Sequence, residues 1–215
     1  MRRAIALSIL LIIIQFLIGI ILYPRMPDRI AIHWNIKGEA DGYGSKTLGL
    51  FLIPVIEVVL IPFFIVLPRI DPKASKEKMM ESYEWFILLF TFYMSYVFGL
   101  STAWNLGYRF DLLRLLIPML GVLFYGLGCI LGEVEINWFL GIRTPWTLSS
   151  EEVWRETHCV GGLLFRVSGL LAIAGVFFSG WLSLGLAMVP VLVSGIYVII
   201  YSYLKYKQIT MERMN

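Results

Sequence analysis

The chain has 215 residues, of which 59% are hydrophobic and 15% charged, with a formal net charge of +3. Its apolar residues fall into continuous, non-alternating runs of about twenty, the length a helix needs to cross ~30 Å of hydrocarbon, which excludes both a soluble globular domain and a β-barrel. The positive charge is scattered among loops with no contiguous basic stripe, which excludes direct binding of nucleic acid.

Six spans are predicted, at residues 4–23, 50–67, 85–106, 112–132, 163–183 and 186–204. The first follows Arg2 and Arg3 and ends in Leu22-Tyr23-Pro24-Arg25 without a small-x-small cleavage site, so it reads as a retained span and not as a signal peptide. With the N-terminus inside, twelve of the eighteen Lys and Arg residues fall on the inner side and six on the outer. This bias predicts both termini in the cytoplasm.

The first outer loop, residues 24–49, is punctuated by Pro24, Pro27, Gly38, Gly42 and Gly44, and Ile30 to Trp34 between them reads as a short strand or a segment pressed against the membrane surface. An ordered loop is expected. His33 has Asp28, Glu39 and Asp41 close in sequence. A metal site and a hydrogen-bonding role in shaping the loop are both open, although the spacing matches no standard ligand pattern.

In the second span, Glu57 lies about 12 Å deep by helical rise, between Pro54 and Pro62. A carboxylate there costs ~2.5–3.5 kcal/mol, so it should face a partner or a cavity. The readings are a proton or cation site, a bundle-lining group that pairs with Arg114 or Gln15, or a structural hydrogen bond between helices. Asp71-Pro72 then reads as a helix start, with Lys76, Lys78, Glu81 and Glu84 spaced to pair on the extended third helix. Arg114 and Arg166 stand near the beginnings of spans, where their long stems reach headgroups.

The fourth loop, residues 133–161, is a polar passage inside an apolar chain. Gly141 permits a tight turn, Pro145 stiffens the next, and Arg143 supplies fixed donors for carbonyls or a lipid phosphate. Ser149 to Glu152 reads as a capping box that starts a short interfacial helix ending at Gly161-Gly162. His33 and His158 fall on opposite faces and cannot share a metal. Cys129 and Cys159 lie at the reducing side, so no disulfide is expected. Protease, nucleotide-binding and hydrolase signatures are missing. Glu151-Glu152-Val-Trp-Arg155 has its arginine one residue early for the Glu-Glu-x-x-x-Arg pattern of intramembrane proteases, and no Phe-x-x-x-His follows.

Two passages resemble the SdpI family of membrane proteins. In the outer loop they are Pro27, Ile30, His33, Gly38 and Lys46; in the inner loop, Asn137, Gly141-Ile-Arg143-Thr144-Pro145, Thr147, Trp154 and Thr157-His158. The resemblance implies six spans with cytoplasmic termini, immunity against a secreted, membrane-active peptide toxin, and binding of a small repressor at the inner face. Cys159 departs from the basic residue expected after His158, and Glu57 belongs to no family pattern.

The predicted fold class is all-α: a polytopic membrane helical bundle with six transmembrane helices, an ordered outer loop and a short interfacial inner helix. Residues 1–68 are expected to form a two-span region and 69–215 a four-span region. The expected function is SdpI-like immunity or membrane-linked signalling in the cell membrane, without enzymatic activity, cofactor or bound metal. Its expected partners are the lipid bilayer and a peptide toxin on the outer side or a small repressor on the inner. The alternatives are a small transporter or ion pathway using Glu57, and an intramembrane hydrolase built on Glu151, Glu152 and His158.

Overall fold

A computed structural model describes residues 2–73 and 76–212, without the side chains of residues 2 and 76–78. The bundle contains α1 (Arg2–Leu22), α2 (Lys46–Ile70), α3 (Lys76–Asn105), α4 (Leu112–Glu133), the short α5 (Pro145–Ser149), α6 (Glu151–Ala174) and α7 (Gly180–Glu212). All except α5 are long and apolar enough to cross a membrane, six helices among the described residues. Ile9, Ile13 and Ile20 on α1 and Leu192 and Ile196 on α7 are exposed, as expected of surfaces solvated by lipid. The chain is a multi-pass membrane protein.

The first loop contains the strand read from the sequence. β1 (Arg29–Trp34) pairs antiparallel with β2 (Ala40–Ser45), with Arg29 opposite Ser45 and Trp34 opposite Ala40. Gly38 takes the turn at φ 75°, and a Cβ there would collide with the Asp111 carboxylate, so glycine is required twice over. Asn105 at the end of α3 grips the hairpin: its Oδ1 accepts the Ala31 N–H at 2.8 Å and its Nδ2 donates to the Ala31 carbonyl at 2.9 Å. Trp34 packs edge-on against Trp104, with centroids 5.6 Å apart. Ser45 caps α2 by accepting the Leu48 N–H.

Three differences from the sequence reading stand out. Asp71-Pro72 does not open α3. Instead Asp71 ends α2, accepting the Lys73 N–H at 2.8 Å and, from across the bundle, the Trp138 N–H at 2.7 Å. The side chains of Lys76 and Lys78, read as partners of Glu81 and Glu84, lie outside the described residues.

The helix after the inner loop does not stop at Gly161-Gly162. It runs unbroken from Glu151 to Ala174, and the break before the last span comes at residues 178–179, followed by Gly180 at φ 58°. Its N-cap is Ser150, not Ser149, whose hydroxyl donates to the Trp146 carbonyl. The two glycines are contact surfaces. Gly161 makes room for Ile142 of the inner loop, and Gly162 faces Gly128 of α4. A Cβ on Gly128 would sit 2.7 Å from the Gly162 carbonyl oxygen, and one on Gly121 would sit 2.6 Å from that of Gly169. Antiparallel α4 and α6 therefore touch backbone to backbone at two levels, seven residues apart on each helix, as small residues allow in lipid.

Arg114 does not pair with Glu57. It lies at the hairpin end, where its Nε donates to the Val176 carbonyl at 3.2 Å.

Candidate functional site

The residues singled out in the sequence fall at three levels. Asn137, Gly141, Arg143, Thr144, Pro145, Trp154 and His158 gather at the motif-loop end; His33, Gly38 and Lys46 lie at the hairpin end; Glu57 is enclosed between them.

The motif loop is built around two buried polar side chains. Asn137, wholly enclosed, donates through Nδ2 to the carbonyls of Glu135 and Leu140 and accepts through Oδ1 from the N–H groups of Phe139 and Leu140, at 2.6–2.9 Å. All four bonds of a carboxamide are thereby used on a turn that would otherwise leave its peptide groups unpaired. His158 is the second. A carbonyl can only accept, so Nδ1 carries the proton and donates to the Trp154 carbonyl at 2.8 Å; a backbone N–H can only donate, so Nε2 accepts that of Ile142, also at 2.8 Å. The neutral ring stacks on Trp154 at 3.9 Å between centroids.

Trp154 Nε1 in turn donates to the Val134 carbonyl at 2.8 Å, fixing the point where α4 ends. Gly141 passes over the imidazole at φ 121°, and a Cβ there would strike Nε2. Thr144 and Thr147 form a reciprocal capping box around Pro145, each hydroxyl accepting the other's backbone N–H, at 3.1 and 2.9 Å. Thr147 also donates to the Ile142 carbonyl at 2.8 Å, and the Thr144 hydroxyl meets Ser202 of α7 at 3.1 Å.

This loop is rigid by construction. Most of its inward polar groups are engaged by its own backbone, and both nitrogens of His158 are occupied, so the imidazole is not free to act as a base. The outward face is cationic and aromatic. Arg143 is exposed, with Nη1 donating to the Trp138 carbonyl at 3.0 Å, and Lys73 lies over the exposed Trp138 ring at 5.3 Å while donating to the Leu148 carbonyl.

At the other end, His33 pairs with Asp41 across the hairpin, Glu39 accepts from Asn35, and Asp28 meets Lys46 at 3.0 Å. The three acidic side chains near His33 in sequence are thus committed to three different partners. Lys46 also lies 4.8 Å over the Tyr23 ring. Between the ends, Glu57 Oε2 accepts from Gln15 Nε2 at 2.7 Å, the second of the two partners read from the sequence.

Sequence reasoning missed Asp71, Lys73 and Ser202 as supports of the motif loop. Lys73 and Ser202 give no local signal, because their partners are 75 and 58 residues away. The glycine pairs were missed as well, although a seven-residue spacing repeated on two spans marks them.

Comparison with known proteins gives a consistent picture. Residues 10–58 match a domain of unknown function (DUF1648), covering most of α1, the hairpin and the first half of α2. Residues 133–202 match the SdpI/YfhL protein family, covering the motif loop, α5, α6 and most of α7. The chain is 29% identical over 209 residues to the immunity protein SdpI of Bacillus subtilis (strain 168), an alignment that takes in 96% of this chain and 98% of the relative. No solved structure matches. The motif loop and the last two spans thus match the SdpI/YfhL family pattern, and the chain is similar nearly end to end to the immunity protein SdpI.

Proposed function

We propose that this protein confers immunity on its own cell against a membrane-active peptide toxin and does so without enzymatic chemistry. The observation that carries this reading is the near full-length likeness to the immunity protein SdpI. The motif loop supports it physically, because a self-bonded platform presenting Lys73, Trp138 and Arg143 outward is built to be recognised, and both nitrogens of its histidine are spent on the backbone. In this reading His33, Gly38 and Lys46 shape the outer hairpin, which meets the toxin. Asn137, Gly141, Arg143, Thr144, Pro145, Trp154 and His158 shape an inner platform for a small regulatory protein. The distribution of Lys and Arg supports cytoplasmic termini.

Sensitive cells expressing the chain are challenged with a pore-forming or depolarising peptide, and survival and membrane potential are followed. Protection is expected, and its loss is expected for Asn137→Ala, which dismantles the loop. Absence of protection by the parent chain in correctly inserted, abundant form would overturn the proposal.

A further inference from the structure

One carboxylate is sealed inside the half of the bundle formed by α1, α2 and α3. Glu57 is 0% exposed. Its Oε2 accepts from Gln15 Nε2, which also donates to Ser95 Oγ at 3.0 Å. Its Oε1 has no partner. Neither have Gln15 Oε1, Thr91 Oγ1 and Ser8 Oγ, all on side chains at most 2% exposed. Four orphaned oxygen atoms on α1, α2 and α3 are more than a structural hydrogen bond requires, since buried polar groups are nearly always paired.

No fixed positive charge faces the carboxylate. Residues 4–22 of α1, 85–105 of α3 and 47–68 of α2 contain no Lys, Arg, His or Asp, and no Glu besides Glu57 itself. The titratable side chains on the facing stretches are Tyr93 and Tyr96, and the Tyr96 hydroxyl donates away, to the Leu115 carbonyl. Arg3 and Arg69 each lie twelve residues along a helix from this level, about 18 Å. Arg114 is engaged at the hairpin end. A lone carboxylate in hydrocarbon needs a neutralising positive charge, and none is supplied by the described residues.

We propose that Glu57, Gln15, Thr91 and Ser95 form an intramembrane site for one small monovalent cation, a proton or a sodium ion, reached from the motif-loop end. One carboxylate surrounded by neutral carboxamide and hydroxyl oxygens balances a single positive charge; a divalent ion calls for more anionic ligands. The direction of access follows from the flanks. Thr91 is one turn from Ser95, and Ser8 two turns from Gln15 on the same helical face, both toward the motif-loop end. A cleft of about 720 Å³ between α1 and α3 opens there and reaches Ala4, one turn short of Ser8. Toward the hairpin, Phe16 stacks on Phe51 at 6.1 Å, and Met26, Ile30 and Leu50 pack beyond them. This site is independent of the immunity reading, whose residues lie elsewhere.

The test uses the full chain in liposomes treated with dicyclohexylcarbodiimide, which reacts with protonated carboxyls in apolar surroundings. Adducts are mapped by mass spectrometry across a pH series in choline chloride or in sodium chloride at equal ionic strength. Glu57 is expected to be labelled. Loss of labelling as pH rises, alike in both salts, identifies a proton; protection by sodium at constant pH identifies sodium. Thr91→Val removes an unbonded hydroxyl at nearly constant volume, and is expected to fold while shifting the pH dependence or weakening sodium protection severalfold. Labelling that ignores both pH and sodium, no labelling at any pH, or a folded Thr91→Val protein that behaves like the parent would each overturn the proposal.

Discussion

Asp71 at the end of α2 accepts the backbone N–H of Trp138 at 2.7 Å, joining two loop segments at the same end of the bundle, 67 residues apart. The carboxylate is buried and spends its other oxygen on the Lys73 N–H, so it is the tie between the α2–α3 connection and the motif loop. Asp71→Ala removes the acceptor of two backbone donors and is expected to destabilise the protein by up to about 1.5–3 kcal/mol per charge-assisted bond lost; Asp71→Asn keeps one acceptor and should cost clearly less. Equilibrium unfolding in detergent checks both. Equal costs would mean that the Trp138 bond contributes nothing.

His158 and Gly141 form a coupled pair, because the imidazole lies where a Cβ of residue 141 would point. Gly141→Ala is expected to cost more than the ~1 kcal/mol that an alanine pays for a left-handed backbone. The excess is the collision with Nε2. His158→Ala alone loses the Ile142 bond and the Trp154 stack. The double variant should be less destabilised than the sum of the single ones, since the smaller side chain admits the new methyl group. Strict additivity in a double-mutant cycle would show that the contact carries no energy.

What the sequence made legible was mostly local or periodic. The six spans, the strand around Ile30 to Trp34 and Gln15 as one of two candidate partners for Glu57 follow from apolar run length, turn residues and the scarcity of polar groups in the first two spans. The misreadings have one cause. Asp71-Pro72 and Gly161-Gly162 carry the local signals of a helix start and a helix stop, but tertiary contacts override both: a distant N–H claims the carboxylate, and neighbouring segments fill the space beside the glycines. In the motif loop the residue types were right while their mutual contacts were hidden. Nothing in the sequence says that His158 reaches back to Ile142, or that Thr144 meets Ser202.

Two groups of glycines on α4, α6 and α7 have opposite expected responses. Gly121, Gly128, Gly162 and Gly169 sit against the facing backbone, so alanine at any of them must push the helices apart. Gly185 and Gly195 on α7 have nothing nearby, and alanine there is expected to be neutral or to stabilise by about 0.5–1 kcal/mol through helix propensity. Thermal denaturation of the six single variants should separate the two groups without overlap. Comparable losses for Gly128→Ala and Gly195→Ala would rule out close packing as the reason for glycine.

Orientation can be read with two surface cysteines. In a chain carrying Cys129→Ser and Cys159→Ser, Lys37→Cys on the hairpin and Ser149→Cys at the end of α5 place thiols at opposite ends of the bundle. An impermeant maleimide applied to intact cells is expected to label the first and spare the second, as the Lys and Arg bias implies. The reverse result would exchange the two sides of every role proposed above, including the side from which the Glu57 site is entered.

Asn105 offers the sharpest test of how the hairpin is held. Its side chain presents an acceptor and a donor to Ala31 in the same pattern a neighbouring strand would, and its Nδ2 also reaches the Ser101 carbonyl at 2.9 Å. Asn105→Asp keeps the acceptor for the Ala31 N–H but sets a carboxylate against the Ala31 and Ser101 carbonyls; Asn105→Leu leaves both Ala31 groups unpaired in a largely enclosed position. Each variant should loosen the hairpin by roughly 1–3 kcal/mol, the cost of stranding buried peptide groups. Because the strands are short and paired only with each other, a two-stranded ribbon of this length depends on such docking. Limited proteolysis at the hairpin is therefore expected to speed up in both variants, while unfolding of the helical bundle changes far less. Unchanged cleavage in Asn105→Leu would show that Trp34 on Trp104 and the apolar contacts of Ile30 hold the hairpin without the amide.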